Sequence, residues 1–119
     1  MLTNNQLKTY LHFFEDDTIT FFKSTNGYIE YHENLQNFIS DCYKLHTMDS
    51  EYLENLEKYI GKGIEPKELI EIADINLLKS ILTFYIRGER FCDGMIADSF
   101  EDNVFRRILI RLLLLKNCK

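Results

Sequence analysis

The sequence is poor in residues that interrupt helices. Its 119 residues include one proline and five glycines, and tryptophan is absent. Few interruptions favour long helices, and nine phenylalanines and seven tyrosines supply bulky side chains for a core. A chain of this length can bury a core without disulfides or metals. We therefore predict one mainly α-helical domain over residues 1–119.

Cysteines are also scarce. The three cysteines are Cys42, Cys92 and Cys118, and none forms a C-x-x-C pair. The count is odd, and the N-terminus lacks the basic and apolar regions of a signal peptide, so we predict a cytoplasmic location. The longest apolar run covers only residues 112–115, which is too short to cross a bilayer. We expect no membrane partner.

Positive charge is scarce in the first half of the chain. Residues 1–60 carry four lysines against ten acidic residues, and all five arginines lie at or beyond Arg87. The formal net charge is −5. Because binding to duplex nucleic acid needs a strongly basic surface, this composition excludes nonspecific duplex binding.

Hydrophobic spacing predicts the secondary structure. Apolar residues recur at helical spacing over residues 3–15, 33–46, 51–60, 75–92 and 99–116, and Pro66 opens a short sixth helix that ends at Ala73. Residues 18–23 and 28–31 resemble strands joined by an Asn-Gly turn. The predicted fold class is mainly α: a compact domain of five to six helices with one small antiparallel β-hairpin near the N-terminus. Asp49-Ser50 and Asp74 are predicted N-caps.

The stretch from Arg87 to Gly94 places four charges in the most apolar helix of the chain. At 100° per residue, Glu89 projects into the apolar arc, whereas Thr83, Arg87 and Arg90 lie on a narrow opposite stripe. We therefore predict that Glu89 is buried and paired. Buried charge must be paired inside the fold or meet a ligand, which leaves two interpretations.

In the first interpretation the cluster binds a ligand. Arg87 and Arg90 would grip a phosphate or carboxylate, while Glu89 and Asp93 would orient hydroxyl groups or act as acid and base. In the second, the cluster is an internal ion network in which Arg106 or Arg111 neutralises Glu89. Gly88 would then allow close helix approach, and Gly94 would terminate the helix.

Other chemistry-bearing residues form no complete site. Cys42 and His46 stand four apart, which is metal-ligand spacing, but a zinc site needs a fuller ligand set. Cys92 has no histidine near it in sequence to act as a base. Phosphate loops, dinucleotide fingerprints and hydrolase motifs are absent from the sequence. We therefore expect no metal, no cofactor and no catalytic residue.

The predicted last helix carries apolar residues on its charged face. Ile110 and Leu114 interrupt the arginine face formed by Arg106, Arg107 and Arg111. Apolar residues among exposed charges indicate a contact surface, most simply that of a symmetric homodimer. The alternative is that the hairpin or the first helix covers them. The candidate interface residues are Arg107, Ile110 and Leu114.

The motif Arg-Gly-Glu-Arg-Phe-Cys-Asp-Gly resembles a bacterial and phage family, the domain of unknown function 6508 family. The resemblance includes the Asp-Ile-Asn-Leu-Leu-Lys stretch from Asp74 and the region from residue 98 to 113, where a glycine is expected in place of Asn103. It implies one small, mainly helical cytoplasmic domain and supplies no activity. It also favours joint action of Arg87, Glu89, Arg90 and Asp93.

Two functions follow as hypotheses. The first is a non-enzymatic regulatory or protein-interaction module, self-associating through its last helix. The alternative is a protein that binds or sequesters a small anionic, nucleotide-like ligand, as in phage anti-defence. A hydrolase built on Glu89 and Asp93 is a third, weaker hypothesis.

Overall fold

Helices dominate the architecture. The computed structural model describes residues 1–89 and 94–117, and within these ranges the chain forms six α-helices, two 3₁₀ helices and one two-stranded hairpin. In chain order they are α1 (Asn4–Glu15), β1 (Phe22–Thr25), β2 (Tyr28–Tyr31), α2 (Glu33–Lys44), α3 (Tyr52–Ile60), a 3₁₀ helix (Pro66–Ile72), α4 (Ile75–Gly88), α5 (Met95–Ser99), a second 3₁₀ helix (Phe100–Asp102) and α6 (Val104–Lys116). The predicted fold class is confirmed.

The hairpin turns at Asn26 and Gly27, as predicted. Both residues have positive φ angles, 52° and 81°, which a two-residue hairpin turn of the I′ type requires. The strands pair antiparallel from Phe22 opposite Tyr31 to Thr25 opposite Tyr28. The first strand begins four residues later than predicted, because pairing across a two-residue turn fixes its position. Thr18, expected in the strand, instead hydrogen-bonds to Asp16.

Of the two predicted N-cap sites, one caps a helix: the Asp74 carboxylate accepts the Leu77 N–H at the start of α4. Thr3, which was not predicted as a cap, forms a capping box at the start of α1. At the other predicted site, Asp49-Ser50, the helix starts later, at Tyr52. There the Asp49 carboxylate accepts the N–H of Glu51 in the turn that precedes α3.

Both long C-terminal helices are shorter than the hydrophobic pattern predicts. Helix α4 ends at Gly88, whereas the prediction extended to residue 92, and residues 90–93 lie outside the described ranges. The predicted helix over 99–116 is divided among α5, a 3₁₀ turn and α6. The division falls at Asn103, whose φ of 52° is left-handed. Glycine favours this conformation, which explains why a glycine is expected there, and asparagine tolerates it.

Aromatic side chains join the first and last helices to the hairpin. Phe14 of α1 packs against Phe38 of α2 and Phe105 of α6, with ring centroids 5.1 and 5.8 Å apart. Phe21, just before β1, stacks on Phe100 at 4.6 Å. Such contacts add to the hydrophobic gain of burial. They hold the hairpin beside the junction between α5 and α6.

The first and last helices run antiparallel. Asn4 at the start of α1 donates a hydrogen bond to Asn117, and Glu15 at its end pairs with Arg106 near the start of α6. Before α1, Leu2 is fully buried; its N–H donates to the Thr47 hydroxyl and its carbonyl accepts from Lys116. The two ends of the described chain are therefore fastened together.

Candidate functional site

The predicted charged cluster divides at the end of α4. Arg87 lies beside the connection between α2 and α3, where its guanidinium is 5.6 Å from the centre of the Tyr52 ring. Glu89 lies beside the tip of the hairpin, in a cavity of about 430 Å³. Arg90 and Asp93, the other two predicted ligand-binding residues, lie outside the described residues. Arg87 and Glu89 therefore line different cavities.

The Glu89 carboxylate binds the start of α5. One of its oxygens accepts the N–H of Gly94 at 2.9 Å, and the other accepts the N–H of Ile96 at 2.8 Å. Unpaired N–H groups are characteristic of a helix start, and a carboxylate there is favourable. Glu89 is half-buried, not fully buried as predicted. Its pairing is therefore with backbone amides on the far side of residues 90–93.

Tyr31, the last residue of β2, lies next to Glu89. Burial raises the pKa of its hydroxyl, and the neighbouring Glu89 carboxylate raises the pKa further. Both effects disfavour the phenolate, so the hydroxyl stays protonated. The hairpin, the end of α4 and the start of α5 thus converge on Glu89.

Two glycines make the close approach of α4 and α5 feasible. A Cβ atom added at Gly88 would collide with the sulfur of Met95, so the end of α4 and the start of α5 meet where there is no room for a side chain. Gly94 has a φ of +89°, and a Cβ there would lie 3.1 Å from Ile29 of the hairpin. A residue with a side chain is strained at this φ. The close approach expected at Gly88 is therefore present, whereas Gly94 precedes α5 and does not terminate α4, which ends at Gly88.

The arginines of α6 bind other partners than the predicted Glu89. Arg107 makes a two-pronged contact with Glu71 and donates to the Lys67 carbonyl. Arg106 pairs with Glu15 at 3.6 Å, and Arg111 donates to the Ala73 carbonyl. The predicted neutralisation of Glu89 by Arg106 or Arg111 is wrong, because both side chains extend toward the flanks of α6. The hydrogen bond to Arg107 keeps the pKa of Glu71 below its ordinary value.

Two of the three predicted interface residues are exposed. Ile110 is 45% exposed and Leu114 is 59% exposed, and they lie about one turn apart on the outer face of α6. Neither the hairpin nor α1 covers them to the extent that the alternative interpretation required. Arg107 lies at the edge of this face, with its guanidinium directed to Glu71.

A polar network around Asp49 was not anticipated. Thr83, expected on the polar stripe of α4, is 1% exposed; its hydroxyl accepts the Asp49 N–H and donates to the Lys79 carbonyl. The Asp49 carboxylate also accepts from Asn55 and Ser80. Only the prediction of Asp49 as a cap hinted at this role, since helical periodicity does not show which loop covers a polar residue.

Cys42 and His46 do not meet. Cys42 is fully buried, and burial raises the pKa of its thiol, whereas His46 is exposed beyond the end of α2. Among the described residues, His, Cys, Asp and Glu form no group of three that could hold a metal ion. In the same part of the chain, no helix is long and apolar enough to span a membrane.

These features define a small, mainly α-helical domain in which α1 and α6 pack side by side and one hairpin closes the junction before α6. The chain belongs to a family of unknown function (DUF6508), whose model matches residues 9–117. The match covers nearly the whole chain and so confirms the resemblance seen in the C-terminal motif. Searches of curated proteins and of solved structures returned no match.

Proposed function

We propose that this protein is a non-enzymatic interaction module that self-associates through the outer face of α6. The observation that carries the proposal is the exposure of Ile110 and Leu114, two large aliphatic side chains one turn apart. We name this pair the α6 ridge. Exposed aliphatic side chains grouped in this way gain free energy when a partner covers them.

The charges beside the α6 ridge favour a contact between two copies. Helix α6 contains three arginines and no acidic residue, so the α6 helices of two copies would repel each other if these arginines had no acidic partners. Arg106 and Arg107 are, however, already paired with Glu15 and Glu71 of the same chain. This pairing lowers the repulsion that would otherwise oppose an isologous contact, in which the same patch serves on both copies.

The contact extends beyond α6. A stable interface buries about 800 Å² on each partner, more than two side chains provide. Ile72, which is 75% exposed, adjoins the ridge, because its neighbours Glu71 and Ala73 bind Arg107 and Arg111. We expect Ile72 to lie at the margin of the dimer and the α6 ridge at its centre.

Substitution of Leu114 tests the proposal. Leu114→Glu places a charge at the centre of the proposed contact, so we expect the dimer mass of the wild-type protein to fall to the monomer mass in light scattering. Leu53→Glu is the matched control, because Leu53 of α3 is 58% exposed against 59% for Leu114. A wild-type monomer at all concentrations, or equal behaviour of both variants, would contradict self-association through α6.

Binding of a small anionic ligand is the second candidate function, and one observation favours it. Arg87 lines a small cavity with His46, although not with Glu89. Sequestration of a signalling nucleotide in phage anti-defence, and the cytoplasmic location, remain predictions. Hydrolysis gains no support from Glu89, because each of its carboxylate oxygens accepts a backbone N–H.

A further inference from the structure

The connection between α2 and α3 is held rigidly at both ends. After α2, the Thr47 N–H donates to the Cys42 carbonyl, and the buried Thr47 hydroxyl accepts from Leu2. Further on, the Asp49 N–H donates to the Thr83 hydroxyl on α4. The residues between these anchors are therefore fixed before any ligand arrives, which reduces the entropy cost of binding.

His46 occupies a position that usually belongs to glycine. It follows the last turn of α2 with a φ of +53°, the left-handed conformation that ends many helices. Histidine is tolerated there but is less stable than glycine. Its exposed side chain makes no hydrogen bond within the described residues, so the imidazole is not needed for the turn. The imidazole is therefore available for another role.

Four donor side chains surround a small cavity at this connection. The cavity measures about 190 Å³ and is lined by Tyr43, His46, Ser50 and Arg87, together with Met48, Asp49 and Thr83. Within residues 1–89 and 94–117, no carboxylate oxygen lies within 4.0 Å of the Arg87 guanidinium. The Tyr52 ring lies against that guanidinium and restricts its motion.

The acidic residue in the lining is already engaged. The Asp49 carboxylate accepts hydrogen bonds from the Glu51 N–H, the Asn55 amide and the Ser80 hydroxyl. These neutral donors stabilise the carboxylate and occupy its acceptor sites, although its negative charge remains. The other polar side chains of the lining, namely the Arg87 guanidinium, the His46 imidazole and the hydroxyls of Tyr43 and Ser50, make no side-chain hydrogen bond to another described residue, and all of them can donate.

We infer that this cavity binds the terminal phosphate of a small phosphomonoester. A guanidinium fork matches two phosphate oxygens, and the imidazole and hydroxyl groups supply donors for the third. Cavities for whole small-molecule ligands measure about 300–1,000 Å³. The cavity at Arg87 is smaller, so it encloses the phosphate head group and leaves the rest of the molecule outside. The inference does not depend on self-association through α6.

Titration with inorganic phosphate, followed by backbone amide NMR, tests the site. We expect saturable shifts of the amides of residues 47–51, and no such shifts with chloride at equal ionic strength. Glycerol 3-phosphate should reproduce the shifts, whereas the diester dimethyl phosphate should not, because a diester has only two terminal oxygens and a single negative charge, where a monoester has a third terminal oxygen and more charge. Equal binding of monoester and diester would overturn the assignment, and so would the absence of saturable shifts.

Two variants identify the donors. His46→Gly suits the left-handed turn better than histidine, so we expect a folded and somewhat more stable protein with phosphate binding weakened about tenfold. Arg87→Ala should weaken binding by about tenfold or more. Lys44→Ala, which removes an exposed cation of α2 outside the cavity, is the control for general charge and should bind as the wild type does. Unchanged affinity in His46→Gly would overturn the proposal even if Arg87→Ala failed to fold.

Discussion

At the scale of single residues, Glu89 shows how a charge in an apolar arc is accommodated. Its two oxygens accept the N–H groups of Gly94 and Ile96, so its partners lie five and seven residues ahead in the same chain. Leaving a half-buried N–H without an acceptor costs more than an ordinary hydrogen bond contributes. Glu89 therefore stabilises the start of α5 relative to the end of α4. This agrees with the interpretation that Glu89 is paired inside the fold, although its partners are backbone amides and not arginines.

Replacement of Glu89 by glutamine should destabilise the fold. Glutamine offers one acceptor oxygen and turns an NH₂ group toward the other backbone N–H, so we expect a loss of about 1–3 kcal/mol. Urea denaturation of Glu89→Gln measures the loss, and Glu101→Gln, which changes an exposed glutamate, is the control. Equal stability of the two variants would show that Glu89 does not hold α5.

The residue-level predictions succeeded where local chemistry decides and failed where distant segments meet. The turn at Asn26 and Gly27 and the cap at Asp74 depend on a few neighbouring residues. The burial of Thr83 depends instead on the loop at Asp49, which reaches α4 from another part of the chain. Hydrophobic periodicity carries no information about that approach.

At the scale of elements, α6 is fastened to the 3₁₀ helix Pro66–Ile72 by Arg107. The pKa of Glu71 is lowered chiefly by its hydrogen bond with Arg107. A lowered carboxyl pKa contributes stability above the ordinary value of 4.5, and this contribution is lost as the pH falls through the folded-state value. Because the Glu71 side chain is 61% exposed, solvent screens the pair and keeps its contribution small.

Glu71→Gln should therefore matter at neutral pH and not in acid. We expect the variant to be less stable than the wild type by about 1 kcal/mol at neutral pH, and the difference to shrink as the pH falls below 4.5, the ordinary pKa of a glutamate carboxyl. Chemical denaturation across this pH range measures it, with Glu57→Gln on the exposed face of α3 as the control. A difference that persisted at low pH would mean that the carboxylate charge is not the cause.

The existence of the five longest helices could be predicted, but the short helix α5, the end of α4 and the start of α6 could not. The apolar pattern continues from residue 99 to 116 although the backbone turns at Asn103. A single left-handed residue does not disturb the helical spacing of apolar residues on either side of it, so the sequence pattern does not reveal the turn. Similarly, α4 ends at Gly88 because the chain must turn toward Met95, a contact that the sequence does not reveal. Of the predicted site, the exposure of Ile110 and Leu114 followed from helical angle alone.

At the scale of the whole molecule, α1 and α6 hold the chain together through its ends. Leu2 lies outside α1, yet its side chain is fully buried and both of its backbone polar groups are bonded. Residues near a chain end usually fray. Leu2 is fixed because Thr47 and Lys116 hold it from two sides, which links α1, α2 and α6.

Truncation of Leu2 should consequently affect global stability. We expect Leu2→Ala to lose about 2–4 kcal/mol, as a core substitution does, because it leaves a cavity among packed side chains. Thermal and urea unfolding measure the loss. Leu53→Ala, at a position that is 58% exposed, should change stability little. If both variants unfolded at the same point, the closure at Leu2 would contribute nothing to the fold.

The antiparallel contact of α1 and α6 also fixes how the molecule would respond to force. Tension applied at residues 2 and 117 acts across the contacts of Asn4 with Asn117 and of Leu2 with Lys116, which are loaded first and in sequence. The two helices would then separate progressively from this end toward Glu15 and Arg106, so that their contacts break one after another and not all at once. Under force, this protein therefore unfolds first at the contact between α1 and α6.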